Sequence, residues 1–484
     1  MENTENTLPI NTARGERLSF IVCRNSHGIE LRGTLHRLTR YLAVFEVYNP
    51  YSIVQLSEVL SDFRIMMNER MIYSGRAIVG NLVNTGIMLI CETSLSEEGW
   101  IDVGIFSTVY PNERLQNDLQ DFLKETAKNY QVLPEFKVVV SDMQILLSDL
   151  RRWMEQVELG MRSMPSTERL QAERDALMKL DGSILPAMWP LMNRFEDSAA
   201  GIPTDLQPVH RSFAKRQLHP LVLCSPFTYR TYQKPLGYAG DYEMVGMMLR
   251  DPYEGSSIFA KMLNRAFLES PTVVAHRNRI VHLSARLEKE TQRVASEGRP
   301  ARIFNLGCGP AQEVQNFLAH EEVSDKADFL LLDFNDETLS YTTRTLKDLQ
   351  MRYKRQTSIK FERKSVQQVL KDSTRSARSE SSPRYDFVYC AGLFDYLSDR
   401  VCRRLLQVFY EMVAPGGLVL ATNVHVRNPS KHWMECVMDW HLVYRDEQQF
   451  RALADGLGTE DAVSIECDPT GVNIFLEIRK PLDG

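Results

Sequence analysis

The residues with the plainest chemical potential are Gly307 and Gly309, within Asn305-Leu306-Gly307-Cys308-Gly309-Pro310-Ala311, and Asp333, which closes Leu330-Leu331-Leu332-Asp333. An apolar strand that runs into a Gly-x-Gly turn, then a helix, then a second strand ending on an acid can hold a nucleoside. The glycines let the backbone approach the ligand, and the acid accepts hydrogen bonds from the two ribose hydroxyls. A dinucleotide site would carry a third glycine, with a helix N-terminus facing a pyrophosphate. Here Pro310, Ala311 and Gln312 follow Gly309.

Two further segments hold groups that could meet a second reactant. Tyr229 to Glu243 is dense in tyrosine, glycine and polar residues, too polar for a core strand and too aromatic for an ordinary linker. Such a segment can wrap a ligand, its tyrosines offering apolar walls with hydroxyl handles. Tyr229, Tyr238, Asp241 and Tyr242 are its candidate substrate contacts. His276, Arg277 and Arg279 lie on a following helix, Val273–Glu290, where one face could meet a pocket or all could be solvated. Beyond the glycine turn, His425 to Trp433 and Asp439 to Arg445 add His425, Trp440 and Arg445.

These residues need a sheet to position them. Ile303–Leu306 and Asp328–Asp333 read as strands, Asp336–Lys354 as a helix and Ser358–Glu362 as a short strand before Lys364-Ser365-Val366. Lys371–Arg384, rich in serine and arginine, reads as an exposed loop. Tyr385 to Tyr396 holds a strand opened by an acid and ending about Ala391 and Gly392. Ser398 is a plausible N-cap for a helix ending at Met412, before Ala414-Pro415-Gly416-Gly417 and the strand Leu418–Val424. Ala462–Glu466 and Asn473–Ile478 form a closing strand pair about Asp468-Pro469-Thr470-Gly471.

From about Arg302 to Arg479 this ordered set resembles the class I S-adenosylmethionine (SAM) methyltransferases. Asn305–Ala311 looks like motif I of that family, whose cofactor carries no phosphate. Tyr385–Tyr396 looks like motif IV, whose strand end lies against the methionine part of SAM. The resemblance implies cofactor contacts from Asn305, Gly307, Cys308, Gly309, Pro310, Asp333, Asn335, Ser365, Val366, Ala391, Gly392 and Leu393. An acid is common where Ser365 stands. Phe394 and Tyr396 could flank a sulfonium, since an aromatic face attracts a cation, or could be core aromatics.

Composition sets outer bounds. A chain of 484 residues should hold two or three domains. A net charge of −6 does not suggest a general nucleic-acid or anionic-membrane binder. Eight scattered cysteines form no C-x-x-C pair or His/Cys cluster, so no metal site is expected and a reducing, cytoplasmic setting is favoured. Met1–Gly15 is polar and acidic, unlike a signal peptide, and no apolar run approaches the roughly 20 residues of a membrane span.

The N-terminal region differs in kind. Leu18–Val22, Ile29–Leu35, Leu42–Val47, Arg76–Val79, Gly86–Cys91 and Ile101–Ile105 are short β-branched runs separated by turn residues, which suggests a small β-barrel. Gly75–Ile87 resembles the centre of a PilZ domain, a cyclic-di-GMP receptor module. Asn81 and Gly86 fit its second motif, but Val83 replaces the serine, and Arg14 and Arg17 are one residue too close for its arginine pair. Arginine pairs grip phosphates and stack on guanines, so the reading is a degenerate PilZ-like barrel used for contacts rather than a nucleotide receptor.

Leu115–Lys128 and Lys137–Met161 read as helices. Val139, Met143, Leu146, Leu150, Trp153 and Val157 form a heptad seam of nearly three repeats, fit for a homodimer or for packing against Thr167–Leu180 of the same chain. The expected order is therefore a barrel at 1–110, a helical, dimerising region at 111–200, a helical substrate lid at 201–300 and an α/β Rossmann-like methyltransferase sheet at 301–484.

Lys234-Pro235-Leu236-Gly237-Tyr238-Ala239-Gly240-Asp241-Tyr242 and the His425–Arg445 stretch together resemble bacterial proteins of 3-hydroxypalmitic acid methyl ester biosynthesis. That resemblance implies carboxyl O-methylation of a fatty-acid quorum signal. A carboxylate is nucleophilic at neutral pH and needs only alignment and desolvation, with Arg277, Arg445, Tyr238 or Tyr242 to orient it. A hydroxyl acceptor needs a base, for which His425 or His276 could serve. The sequence leaves both small-molecule acceptors open, along with a SAM-binding scaffold without catalysis.

Overall fold

The computed structural model describes residues 19–48, 54–67, 70–84, 88–101, 120, 131–376 and 384–482. Its first unit is a closed barrel of β1 (Ser19–Arg24), β2 (Glu30–Leu38), β3 (Leu42–Tyr48), β4 (Val59–Met67), β5 (Arg70–Asn84) and β6 (Met88–Leu95), ordered β1-β2-β3-β6-β5-β4. Alternate residues such as Ile21, Phe45, Phe63 and Val79 fill the interior. The strand β4 was not anticipated, because Ser61-Asp62 interrupts its apolar alternation. The chain absorbs that break as a bulge between Leu60 and Phe63, with Asp62 at φ 47°. Ile101 lies outside any strand, and 102–105 fall outside the described residues. So do Arg14, Arg17 and Gly86 of the PilZ comparison and nearly all of Leu115–Lys128; Asn81 and Val83 are exposed on β5.

Among the described residues seven helices follow: α1 (Pro134–Met161), α2 (Ser166–Ala200), α3 (Gln207–Val222), α4 (Pro226–Gln233), α5 (Tyr242–Leu249), α6 (Ile258–Leu268) and α7 (Pro271–Ala295). The heptad seam packs on its own chain, against α2 and α3. Its buried line runs Val139, Met143, Leu147 and Met154, while Trp153 is 47% exposed. A straight helix turns every 3.6 residues and drifts off a seven-residue repeat, which moves Trp153 away from the core.

The last unit is a seven-stranded sheet. It contains β7 (Ala301–Leu306), α8 (Gln312–His320), β8 (Ala327–Asp333), α9 (Asp336–Tyr353), β9 (Ser358–Arg363), α10 (Val366–Ser376), β10 (Tyr385–Cys390), α11 (Asp399–Met412), β11 (Val413–Val424), α12 (Lys431–Val437), α13 (Glu447–Arg451), β12 (Val463–Cys467) and β13 (Asn473–Arg479). The order is β12-β13-β11-β10-β7-β8-β9, with β7 to β11 parallel and β13 antiparallel to both its neighbours. Strand progression reverses between β7 and β10, so a crevice opens beyond their carboxyl ends, beside Gly307 and Ala391. Asp386 fastens that pair at the other end, accepting from Arg299 at 2.7 and 2.8 Å and from the Arg302 amide at 2.9 Å. Among the described residues no helix is long and apolar enough to cross a membrane.

Candidate active site

The glycine turn is built around the acid that follows it. Asp333 is buried at the end of β8 and accepts from the amides of Gly309 (3.1 Å) and Asn335 (3.0 Å). The amides of Gly307 and Cys308 both bond the Leu332 carbonyl, at 2.8 and 2.9 Å. Gly307 (φ 73°) and Gly309 (φ 50°) take left-handed conformations that a side chain would strain, and a Cβ on Gly309 would meet nothing within 4 Å. Burial raises the Asp333 pKa, against the pull of its backbone donors.

Around this turn lies a cavity. All twelve proposed cofactor residues except Asn335 line it; Asn335 caps α9 instead, accepting from Thr338 N at 2.9 Å. Ser365 lines the cavity at the start of α10, where its hydroxyl accepts from the Gln368 amide at 3.4 Å. Asn305 is 2% exposed and its Oδ1 is buried with no hydrogen-bond partner among the described residues. An orphaned buried acceptor on a wall is what a ligand N–H would satisfy.

The second-reactant candidates divide. Tyr238, Tyr242, His276 and Trp440 line the cavity. The Tyr238 ring packs on Phe334 with centroids 5.0 Å apart, its hydroxyl meets Thr338 Oγ1 at 3.1 Å, and burial raises its pKa. Tyr242 donates to Glu337 at 2.8 Å, and partial burial followed by that carboxylate pushes its pKa up to about 12. Neither phenol is a base at neutral pH.

The others are structural. Arg445 is buried and spent on Asp399 (3.0 and 2.8 Å) and the carbonyls of Phe394 (3.0 Å) and Leu397 (2.7 Å). Arg277 bonds the carbonyls of Leu268 (2.8 Å) and Met248 (3.3 Å) and the Glu269 carboxylate (3.1 Å). His425 is buried between Glu447 (2.9 Å) and the Arg427 amide (2.9 Å). None of the three is a cavity residue. Asp241 caps α5 through the Met244 amide (2.8 Å) and pairs with Arg230, while Tyr229 is 52% exposed on α4, away from the cavity. Phe394 belongs to the core, edge-on to Phe450; Tyr396 does face the cavity and accepts from Trp440 Nε1 at 2.9 Å.

The arginine that reaches the cavity is Arg279. Thr272, His276, Arg279 and Leu283 recur at helical spacing on the α7 face that lines it, which is the signal that selects Arg279 over Arg277. Its guanidinium lies over Gly392, where a Cβ would come within 3.0 Å of it, and one N–H is 2.9 Å from His276 Nδ1. Burial, then the charges of Arg279 and Arg277, hold the His276 pKa well below its ordinary value, so His276 is a neutral acceptor for Arg279. Among the described residues no carboxylate stands within ion-pair distance of Arg279; Asp395 and Glu313 act on it only from farther away.

A second cavity shares Met248, Thr272, Met434 and Trp440 with the first. Its remaining wall is mainly apolar, including Met188, Met192, Phe227, Ala266, Phe267 and Trp433.

Residues 242–430 match the model of a family described as "Putative methyltransferase". No curated protein matches the sequence. Among solved structures, a "possible exported protein" from Bordetella parapertussis is 17% identical, covering 61% of this chain and 97% of its own, with a TM-score of 0.38. Magnesium protoporphyrin IX methyltransferase from Synechocystis PCC 6803, with bound S-adenosylhomocysteine (SAH), is 12% identical over 43% and 84% of the two chains, with a TM-score of 0.30. The N-methyltransferase NodS from Bradyrhizobium japonicum, also with SAH, is 13% identical over 52% and 99%, with a TM-score of 0.29. Scores this low do not establish a common whole-chain structure; the family match, from the start of α5 to the loop after β11, supports a methyltransferase.

Proposed function

We propose that the chain is a SAM-dependent methyltransferase that esterifies the carboxyl group of an amphiphilic acid, a 3-hydroxy fatty acid or a similar molecule. The observation that supports it is the apolar cavity that shares a wall with the first cavity, in which Arg279 has no counter-ion among the described residues. The first cavity fits the cofactor's groups: Asp333 for the ribose hydroxyls, and the orphaned Asn305 Oδ1 for an amino group. When bound, SAM supplies an electrophilic methyl group on a sulfonium.

The protein's own work is then placement. Arg279 receives the acceptor carboxylate by a charge-assisted bond and turns one oxygen toward the carboxyl end of β10. His276, by accepting from Arg279, fixes the direction of the guanidinium. The apolar wall takes the chain and excludes water, which strips the carboxylate of hydration. A carboxylate with an ordinary pKa is already ionised at pH 7, so no proton has to be removed. The hydroxyl alternative is the less supported, because His425 lies outside the cavity and His276 Nδ1 is engaged.

Turnover of SAM to SAH with medium- and long-chain 3-hydroxy acids tests the reading. The expected result is a methyl ester from the acid and none from the matching alcohol; a protein that binds SAH yet methylates no acid would overturn it. Ala266→Phe should fill part of the apolar cavity and displace two or three chain methylenes. At roughly 0.8 kcal/mol each, the acceptor KM should rise about tenfold or more, with SAH affinity unchanged. Arg279→Met should raise the acceptor KM by a factor on the order of 10 to 100, the weight of one charge-assisted bond of about 1.5–3 kcal/mol.

A further inference from the structure

The barrel has no role in the chemistry above, yet it contributes to the wall of the nucleoside cavity. Ser26 and His27 from the β1–β2 turn, with Gln55, Leu56 and Glu58 from the segment entering β4, all line it. They are held in place. Asn25 Oδ1 accepts from the amides of His27 (3.1 Å) and Ile29 (2.8 Å), and Gly28 turns the chain at φ 74°. The buried Glu58 carboxylate accepts from Ser26 N (2.7 Å), Ser26 Oγ (2.5 Å) and Gln55 N (2.7 Å), which ties the two segments into one edge.

That edge is seated on the groups that surround the nucleoside site. The His27 ring lies 4.8 Å from the ring of Phe334, the residue after Asp333, and Phe334 packs on Tyr238. Val59 N bonds the Gly237 carbonyl at 2.8 Å, and Gly237 (φ 84°) lies so close to Ser26 that an added Cβ would be 3.1 Å from the serine Cβ. Arg76 reaches from β5 to the carbonyls of Tyr232 and Gln233, each at 3.0 Å, and to Gln233 Oε1 at 2.7 Å. Ser57 Oγ donates to the His441 carbonyl at 2.9 Å. The tyrosine-rich loop is therefore clamped between the barrel and the sheet, with Tyr238 and Gly240 facing the cavity.

We infer that the barrel is a working part of the cofactor site: its β1–β2 turn and the segment before β4 close the nucleoside end, so that barrel docking and nucleoside binding stabilise each other. This rests on the cofactor reading proposed above. Coupling between two such events is reciprocal: docking strengthens nucleoside binding by the same factor by which bound nucleoside strengthens docking, so a variant that undocks the barrel must weaken nucleoside binding.

The test uses the full chain, with SAH and 5′-methylthioadenosine as probes in calorimetry. Arg76→Met touches no cavity residue but removes three of the barrel's bonds to the loop. His27→Ala removes a ring from an exposed turn. Both should weaken SAH binding by about five- to tenfold, at the low end of measured couplings. His27→Ala should weaken 5′-methylthioadenosine equally, because the loss is at the nucleoside. Saturating SAH should slow hydrogen exchange in peptides covering Ser57–Val59, a readout independent of whether either variant folds less well. Unchanged affinity in both variants, with no added protection at Ser57–Val59, overturns the inference alone. A wild-type chain that binds neither probe overturns the cofactor reading and this inference with it.

Discussion

Replacing Asp333 with alanine is expected to abolish measurable SAH binding. The carboxylate would meet both ribose hydroxyls, and charge-assisted hydrogen bonds contribute about 1.5–3 kcal/mol each, so affinity should fall on the order of 10²- to 10⁴-fold. The same carboxylate holds the Gly309 and Asn335 amides, so its removal also frees the turn that shapes the cavity. Asp333→Asn keeps one acceptor oxygen and should fall between wild type and alanine. Burial raises the Asp333 pKa, so SAH affinity should decline as pH falls through that raised value, above the ordinary aspartate range. Calorimetry across pH measures both effects. An alanine variant that binds SAH as tightly as wild type would mean that the ribose sits elsewhere.

The second large effect concerns stability. Asp439 is buried at the junction of α3, the tyrosine-rich loop and the segment after α12, where Lys215 donates to both its oxygens at 3.1 and 3.0 Å. Burial alone would raise its pKa, but the charges of Lys215 and Lys234 outweigh burial and hold it at about 2. Burial in turn lowers Lys234 to about 7. Asp439→Asn leaves the buried Lys215 ammonium without its paired carboxylate, for an expected loss of about 3–5 kcal/mol. Asparagine tolerates the left-handed backbone at this position (φ 48°), so the loss reports the charge. The sign with pH follows from the depressed value. The stabilisation is present above the unfolded pKa of about 3.9 and is lost as pH falls toward 2, so the variant should lack that part of the acid dependence. Denaturant titrations at neutral and acid pH would show it. A loss under about 1 kcal/mol would mean that solvent screens the pair.

The node around Asp439 also shows why some site residues could not be read from sequence. Asp439–Arg445 resembles a substrate segment, yet Asp439 and Arg445 are buried in ion pairs, and of this stretch Trp440 and Leu442 reach the cavity. An arginine that satisfies buried carbonyls and one that awaits an anion have the same letter and similar neighbours. Arg277 and Arg279 differ by two positions on one helix, and rotation about its axis sends one to the Leu268 carbonyl and the other over Gly392. The helical repeat of Thr272, His276 and Leu283 could have separated them, had the cavity-facing side been known.

Local backbone demands are a different matter. The turn at Gly307–Gly309, the acid at Asp333, the strand starts and the closing antiparallel pair are dictated within a few residues, by left-handed φ values and alternating burial. Those parts were legible from the chain alone, as was the barrel in outline. The sequence by itself thus determined a Gly-x-Gly turn followed by an acid-ended strand in an α/β sheet, preceded by a small barrel. Only the tertiary structure decided that barrel residues 26, 27, 55, 56 and 58 form a wall of the cavity around that turn, and that residues of α2, α4, α5, α6, α7 and α12 enclose an apolar cavity beside it. The physical reason is range: backbone conformation answers to near neighbours, whereas a cavity wall depends on which faces meet after hundreds of intervening residues have folded.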